Sequence, residues 1–132
     1  MQVKTNTKER FHVITLQEPV LSADMAADLD KLLMPYLQND ALKSGGGVRN
    51  IILNLKELHS LDDSIAEKLV KLQQIFYENN LSFVICEIPD RIESFFDSQG
   101  LLELMNTTPT EAEAGDIVMM EEIERDLLDS GP

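Results

Sequence analysis

The segment "NIILNLKELHSLDDSIAEKL", Asn50 to Leu69, passes from a strand pattern to a helix pattern through a short polar turn. Ile51-Ile52-Leu53-Asn54-Leu55 is almost continuously apolar, as a central strand covered on both faces requires. After "KELHSL", apolar residues recur at Ile65, Leu69, Leu72, Ile75 and Phe76, which predicts a long helix with one buried stripe. The helix is expected to end at Glu78 to Asn80, where Asn serves as the C-terminal stop. Between strand and helix lie Asp62, Asp63 and Ser64. Ser64-Ile65-Ala66-Glu67 has the form of a capping box, which predicts Ser64 as the helix cap, contributing about 1 kcal/mol.

Outward from this segment the pattern is consistent. Val3, Thr5 and Thr7 alternate, Lys8-Glu9-Arg10 forms a polar turn, and Phe11 to Leu16 continues as a second strand, giving an N-terminal hairpin. Pro19 stops that ladder because it has no backbone donor. Ser22 is the expected N-cap of a helix carrying Met25, Leu29, Leu32 and Leu33, with Pro35 expected to kink or end it near Met34, or Tyr36 to Leu42 to continue it. Residues 43–48, "KSGGGV", read as a flexible loop. Leu81 to Ile88 is the next buried strand, ended by Pro89. Asp90-x-x-Glu93 starts a short helix with Ile92, Phe95 and Phe96 that Gly100 closes. Leu101 to Asn106 holds a short strand or turn. Thr108 or Thr110 caps a last helix with Ile117, Met120, Ile123, Leu127 and Leu128 as its apolar set, weakened at its start by Gly115.

The order predicts an α/β fold: a mixed sheet of four to five strands wound with about four helices, the hairpin at one edge, in one domain spanning 1–132. Hydrophobic residues make up 43% of the chain, but aromatics only 5% and Trp none, so Leu, Ile, Val and Met must build the core. The formal charge of -13, from 24 acidic and 11 basic residues, repels phosphate backbones and anionic headgroups. It argues against nucleic acid or membrane-surface partners and favours a protein partner bearing basic residues. A single Cys86 in an apolar run reads as a buried hydrophobe and excludes an internal disulfide or a cysteine-based zinc site. Without an apolar N-terminal stretch or a run of membrane-spanning length, the expected location is the cytoplasm, with no membrane insertion.

Catalysis is weakly supported. His12 sits in the hairpin as a strand residue. Ser64, His59 and Asp62 are too local to form a hydrolase triad, and no small-residue elbow surrounds the serine. Asp62 and Asp63 suggest a magnesium site only until a third oxygen ligand is sought at useful spacing. "SGGG" lacks the Lys-Ser/Thr of a phosphate loop. A phosphorelay receiver needs an Asp at a strand end and a later Lys; here the strand ends in Glu87 and no such Lys follows. No cofactor is implied. An exposed hydroxyl at a helix start remains, beside Asp62, Asp63 and Glu67, where a phosphate would build an intense negative patch.

In order and spacing the chain resembles the STAS domains, named for sulphate transporters and anti-sigma factor antagonists. Asn50 to Leu69 is similar to the family's apolar strand, short turn and Asp-Ser-Ser-Gly helix start. "GLLELMNTTPTEAEA" (Gly100 to Ala114) resembles its Gly-Leu turn, last strand and terminal helix, and Val13 to Leu33 is a looser match. The resemblance implies a non-enzymatic domain that binds an anti-sigma factor serine kinase, is phosphorylated by it on the motif's second serine, and is reset by a serine phosphatase. By position Asp62 matches the motif aspartate and Ser64 the phosphoacceptor; Asp63 replaces the first serine and Ile65 the glycine. The partner surface implied is His59, Ser60, Asp62, Asp63, Ser64 and Glu67. The alternative is a STAS module of a transport or larger signalling complex, with no phosphoswitch.

Overall fold

The structure is a computed structural model that describes residues 1–38 and 48–129. The expected loop at 43–48 lies outside the described residues except for Val48. The hairpin pairs β1 (Val3–Thr7) with β2 (His12–Leu16) antiparallel, with Val3 opposite Leu16 and Thr7 opposite His12. β4 (Ile51–Asn54) lies parallel to β2 on one side and to β6 (Phe83–Cys86) on the other. β7 (Thr107–Thr108) completes a five-stranded mixed sheet in the order β1-β2-β4-β6-β7. A separate two-stranded ladder joins β3 (Val20–Leu21) to β5 (Ser60–Leu61).

Both faces of the sheet are covered. On one face Ile14, Leu16, Ile51, Leu53, Phe83 and Ile85 pack under α1 (Ala26–Leu37), α2 (Asp63–Glu78) and α3 (Asp90–Ser98). Phe76 of α2 meets Phe83 edge-on at 5.1 Å. On the other, Val13, Ile52, Val84 and Cys86 pack under Ala114 and Val118 of α4 (Glu111–Asp129). The alternation along β4 sends Ile51 and Leu53 to one layer and Ile52 to the other, which is why its sequence shows no polar side.

The helix ends follow the residues. Asn80 (φ 58°) and Gly100 (φ 70°) adopt left-handed backbone after α2 and α3. The amides of Leu81 and Leu101 return to the Phe76 and Phe96 carbonyls, both at 2.9 Å. At the start of α4 the Thr110 hydroxyl accepts the Glu113 amide at 3.2 Å, so Thr110 is the cap.

Several expectations are corrected. Ser22 caps a 3-10 turn, Ala23–Met25, that leads into α1; of the two courses expected at Pro35, α1 takes continuation, as far as Leu37. Pro35 lacks a donor, but the helix resumes its bonds beyond it, with the Gln38 amide reaching the Met34 carbonyl at 3.1 Å. The strand expected over Leu81 to Ile88 is only Phe83–Cys86. At its start the Ser82 amide is taken by the Asn50 side chain at 2.8 Å, and at its end Glu87 turns the chain at φ 53°. Pro89, not Asp90, precedes α3 as its cap. Of the apolar set expected in α4, Ile117 packs against the sheet, while Met120, Ile123, Leu127 and Leu128 are exposed. The inner line instead runs through Ala114 and Val118. Gly115 lies beside Phe11, where an added Cβ would come within 3.2 Å of the ring, so its lack of a side chain permits close packing.

β7 is held by a side chain as much as by its two-residue ladder. Buried Gln73 donates to the carbonyls of Phe83 and Asn106, both at 2.9 Å, and accepts the Asn106 amide at 3.1 Å. Replacing it with the near-isosteric Met removes the acceptor of the Asn106 amide and one donor to each carbonyl, the Asn106 carbonyl keeping the Ile85 amide at 3.0 Å. Gln73→Met is expected to lower unfolding free energy in urea by about 2 kcal/mol; a change near zero would show that water replaces the amide.

Candidate functional site

The chain leaves β4 for α2 at the carboxyl end of the sheet, where ligands and partners of open α/β folds are met. The turn from Leu55 to Asp62 is fastened there by backbone. The Pro19 carbonyl accepts the amides of His59 (2.7 Å) and Ser60 (3.1 Å), and the Leu21 carbonyl accepts that of Asp62 (2.8 Å). This β3–β5 clamp had no signal in the sequence, because a two-residue ladder is too short to show periodicity.

Asp62 is the N-cap of α2, which corrects the expected role of Ser64. One carboxylate oxygen, Oδ1, accepts the Ser64 amide at 3.0 Å and the Ser64 hydroxyl at 2.9 Å. Its backbone carbonyl takes the amides of Ile65 (3.0 Å) and Ala66 (3.1 Å). Asp63 therefore opens the helix and Ser64 lies inside the first turn. A carboxylate one residue before the helix reaches its free amides better than a hydroxyl already in it. The Ser64 amide, then its hydroxyl, hold the Asp62 carboxyl below the usual carboxylate range.

His59, Ser60, Asp62, Asp63, Ser64 and Glu67 are all exposed and follow one another along the turn and the first turns of α2. Ile65 and Ala66 are buried and anchor them. Asp63 and Glu67 stand four residues apart on the helix, a repulsive spacing. The neighbouring cation, Lys68, is engaged by Asp30 of α1 at 2.9 Å. Beside the turn His59, Ser60 and Leu61 face Arg91, Ile92 and Phe95 of α3 across a hollow of about 160 Å³. That is below the few hundred Å³ of a small-molecule pocket and suits a single inserted side chain. The α3 residues of this hollow were not recognised from sequence, since they read there only as the helix's own apolar and charged positions.

Buried His12 and Cys86 belong to the core. His12 is buried in β2, where Nε2 donates to the Val48 carbonyl (2.9 Å) and Nδ1 accepts from the Thr7 hydroxyl (2.8 Å). Among the described residues no hydrogen bond joins His59 to Ser64, so the imagined triad does not assemble. No group of three or more His, Cys, Asp or Glu residues stands close enough among them to hold a metal ion. Burial, with the carboxylates of Glu87 and Glu111 nearby, pushes the Cys86 thiol up to about 12. A larger polar hollow of about 440 Å³ lies at the opposite end of the sheet. Its arginines are engaged: Arg10 with Glu122 (3.2 Å), Arg49 with the Tyr36 and Leu37 carbonyls (2.6 and 2.8 Å), and Arg125 with the Ser82 hydroxyl (3.1 Å).

The STAS domain model matches residues 2–114. The chain belongs to the STAS domain family. Solved structures share the fold of this STAS domain at low identity. SpoIIAA, an anti-sigma factor antagonist, in its unphosphorylated form is 21% identical, with 89% of this chain and 96% of that one covered and a TM-score of 0.66. A serine-to-glutamate variant of Moorella thermoacetica RsbS is 15% identical, with 95% and 99% covered and a TM-score of 0.69. The murine Slc26a9 anion transporter, at 15% identity and a TM-score of 0.63, aligns with 84% of this chain and 18% of its own. No curated protein matches the chain in sequence. No helix among the described residues is long and apolar enough to cross a membrane.

The capping geometry separates Asp62 from Ser64 energetically. Asp62→Ala is expected to lower the melting temperature clearly, and Ser64→Ala much less; equal losses would restore Ser64 as the cap. Because the folded carboxyl is depressed, its stabilisation is fully present above the unfolded value of about 4. It is lost as pH falls through the folded value. Urea titrations should therefore show the stability gap between wild type and Asp62→Asn closing below about pH 4. A gap that stays constant with pH would contradict the assignment.

Proposed function

We propose that this STAS domain is a non-enzymatic, cytoplasmic regulatory module of the anti-sigma factor antagonist kind, acting as one unit over 1–132. In this reading it binds an anti-sigma factor serine kinase, is phosphorylated on Ser64, and is reset by a serine phosphatase. The observation that carries the reading is the hydrogen bond from the exposed Ser64 hydroxyl to the Asp62 cap, 2.9 Å long. Two relatives of the fold support it: SpoIIAA has been solved in phosphorylated as well as unphosphorylated form, and RsbS with a serine replaced by glutamate.

The chemistry of the switch follows from that bond. Transfer of the γ-phosphoryl group of ATP to Ser64 Oγ breaks its bond to ADP and releases the hydroxyl proton. The donor that Asp62 accepts is thereby lost, and a near-dianionic group stands against a carboxylate. Asp62 must leave the cap or its pKa must rise. The phosphate would compete for the Ser64 amide, the positive end of the α2 dipole favouring it there. In the unmodified state the turn offers a fixed acidic surface, with the hollow under His59 and Phe95 beside it. A kinase fitted to that surface loses its fit once Ser64 carries the phosphate, whose bulk and strongly hydrated charge the closed interface must accommodate and desolvate. Exposed Asp63, in place of the family's serine, narrows the set of kinases that accept this turn, while Ile65, in place of the glycine, is buried beneath it.

A second reading, an interaction module of a transport complex, is favoured by the fold shared with the Slc26a9 transporter. The two differ in what Ser64 does. With the cognate kinase as ligand, calorimetry should show Ser64→Asp weakening binding about tenfold or more, and Ser64→Ala nearly unchanged. Equal affinity for wild type and Ser64→Asp would reject the switch and leave the module.

A further inference from the structure

α4 carries apolar residues on two opposite sides. Ala114 and Val118 face the sheet, and the same side continues through Glu121, which accepts from the Tyr77 hydroxyl at 2.8 Å, and Arg125, which donates to Ser82. Met120 and Ile123 stand about half a turn away around the helix, each 56% exposed, and Met119 widens the line at 40%. Leu127, 68% exposed, extends it at the i, i+3, i+7 spacing of a helix-pairing seam. A surface helix normally shows one apolar stripe, turned to the core. Packing on the sheet accounts for the inner stripe of α4 and leaves the outer one for something else.

Charge selects the occupant. Glu124 and Asp126 are exposed on either side of the outer stripe, and Asp116 is exposed at its leading end. From Glu111 to Leu128 the helix has seven acidic residues and one arginine. A second copy would set these carboxylates against their own kind, which a seam with charged flanks does not tolerate. We propose that the outer face of α4 docks an amphipathic helix of a protein partner whose apolar seam is flanked by Lys and Arg.

This surface is separate from the Ser64 turn. α4 covers the sheet face opposite α1, α2 and α3. Its second half lies by Asn50 and Ser82, at the end of the sheet away from Asp62, since Glu122 accepts from Asn50 (2.7 Å) and Arg125 reaches Ser82. The stripe also lies beyond residue 114, where the match to the family model ends. A partner held on α4 can therefore stay bound whatever the state of Ser64.

Two synthetic helical peptides with the same leucine spacing, one flanked by Lys and Arg and one by Glu, test this on the full chain by calorimetry and methyl NMR. The basic peptide should bind about tenfold or more tightly than the acidic one. It should shift the methyl signals of Met119, Met120 and Ile123, and bind Ser64→Asp equally well. Met120→Ser with Ile123→Ser should weaken it about tenfold while the circular dichroism spectrum is unchanged. No binding, shifts confined to other surfaces, or full affinity in the double variant would overturn the proposal. Concentration-dependent dimerisation abolished by the same double variant would also overturn it, by assigning the stripe to a second copy.

Discussion

The parallel pairing of β4 with β2 and β6 is the constraint from which the rest of the molecule follows. A strand with parallel neighbours on both sides must be entered and left through crossovers, and here α1 and α2 make them. The crossover that leaves β4 necessarily starts at the carboxyl end of the sheet. That is why the amino terminus of α2, with Asp62 and Ser64, projects beyond the strand ends instead of lying over a face. The burial of Ile51, Ile52 and Leu53 at full depth holds the strand, and through it the turn, in place.

At that turn the helix cap and the proposed switch share one atom. Asp62 Oδ1 receives both the amide and the hydroxyl of Ser64, so the group that fixes the helix start is also the one a modified serine would displace. A cap made by Ser64 itself would have placed its hydroxyl against the helix. With the cap moved two residues upstream, the hydroxyl stays exposed and the local structure becomes sensitive to its chemistry. The β3–β5 clamp limits how far such a disturbance spreads, because three backbone bonds tie His59, Ser60 and Asp62 to the segment after Pro19.

Fold was far more legible in the sequence than site. Long-range burial leaves a periodic trace: β4 reads as a continuous apolar run, α2 as a 3.6-residue stripe, and the helix ends as Asn80 and Gly100. The hairpin and the α/β order were readable for the same reason. What the sequence did not show depends on single contacts. Ser64 and Asp62 are both good caps by residue type, and only geometry chooses between them. The clamp is two residues long, and the hollow beside His59 needs α3 brought from thirty positions away. In α4 the apolar residues were visible but not the side they face. Small Gly115 and Ala114 let the helix settle on Phe11 and the sheet, and this turned Met120 and Ile123 outward.

The account stands or falls on the hydroxyl beside Asp62. Tandem mass spectrometry of the full chain after reaction with the proposed anti-sigma factor kinase and ATP, read together with the phosphorus NMR spectrum, reports where the phosphate goes. One phosphoserine, at Ser64, is the predicted result. An unmodified chain, or a phosphate on Ser60 or another hydroxyl with Ser64 untouched, would contradict it.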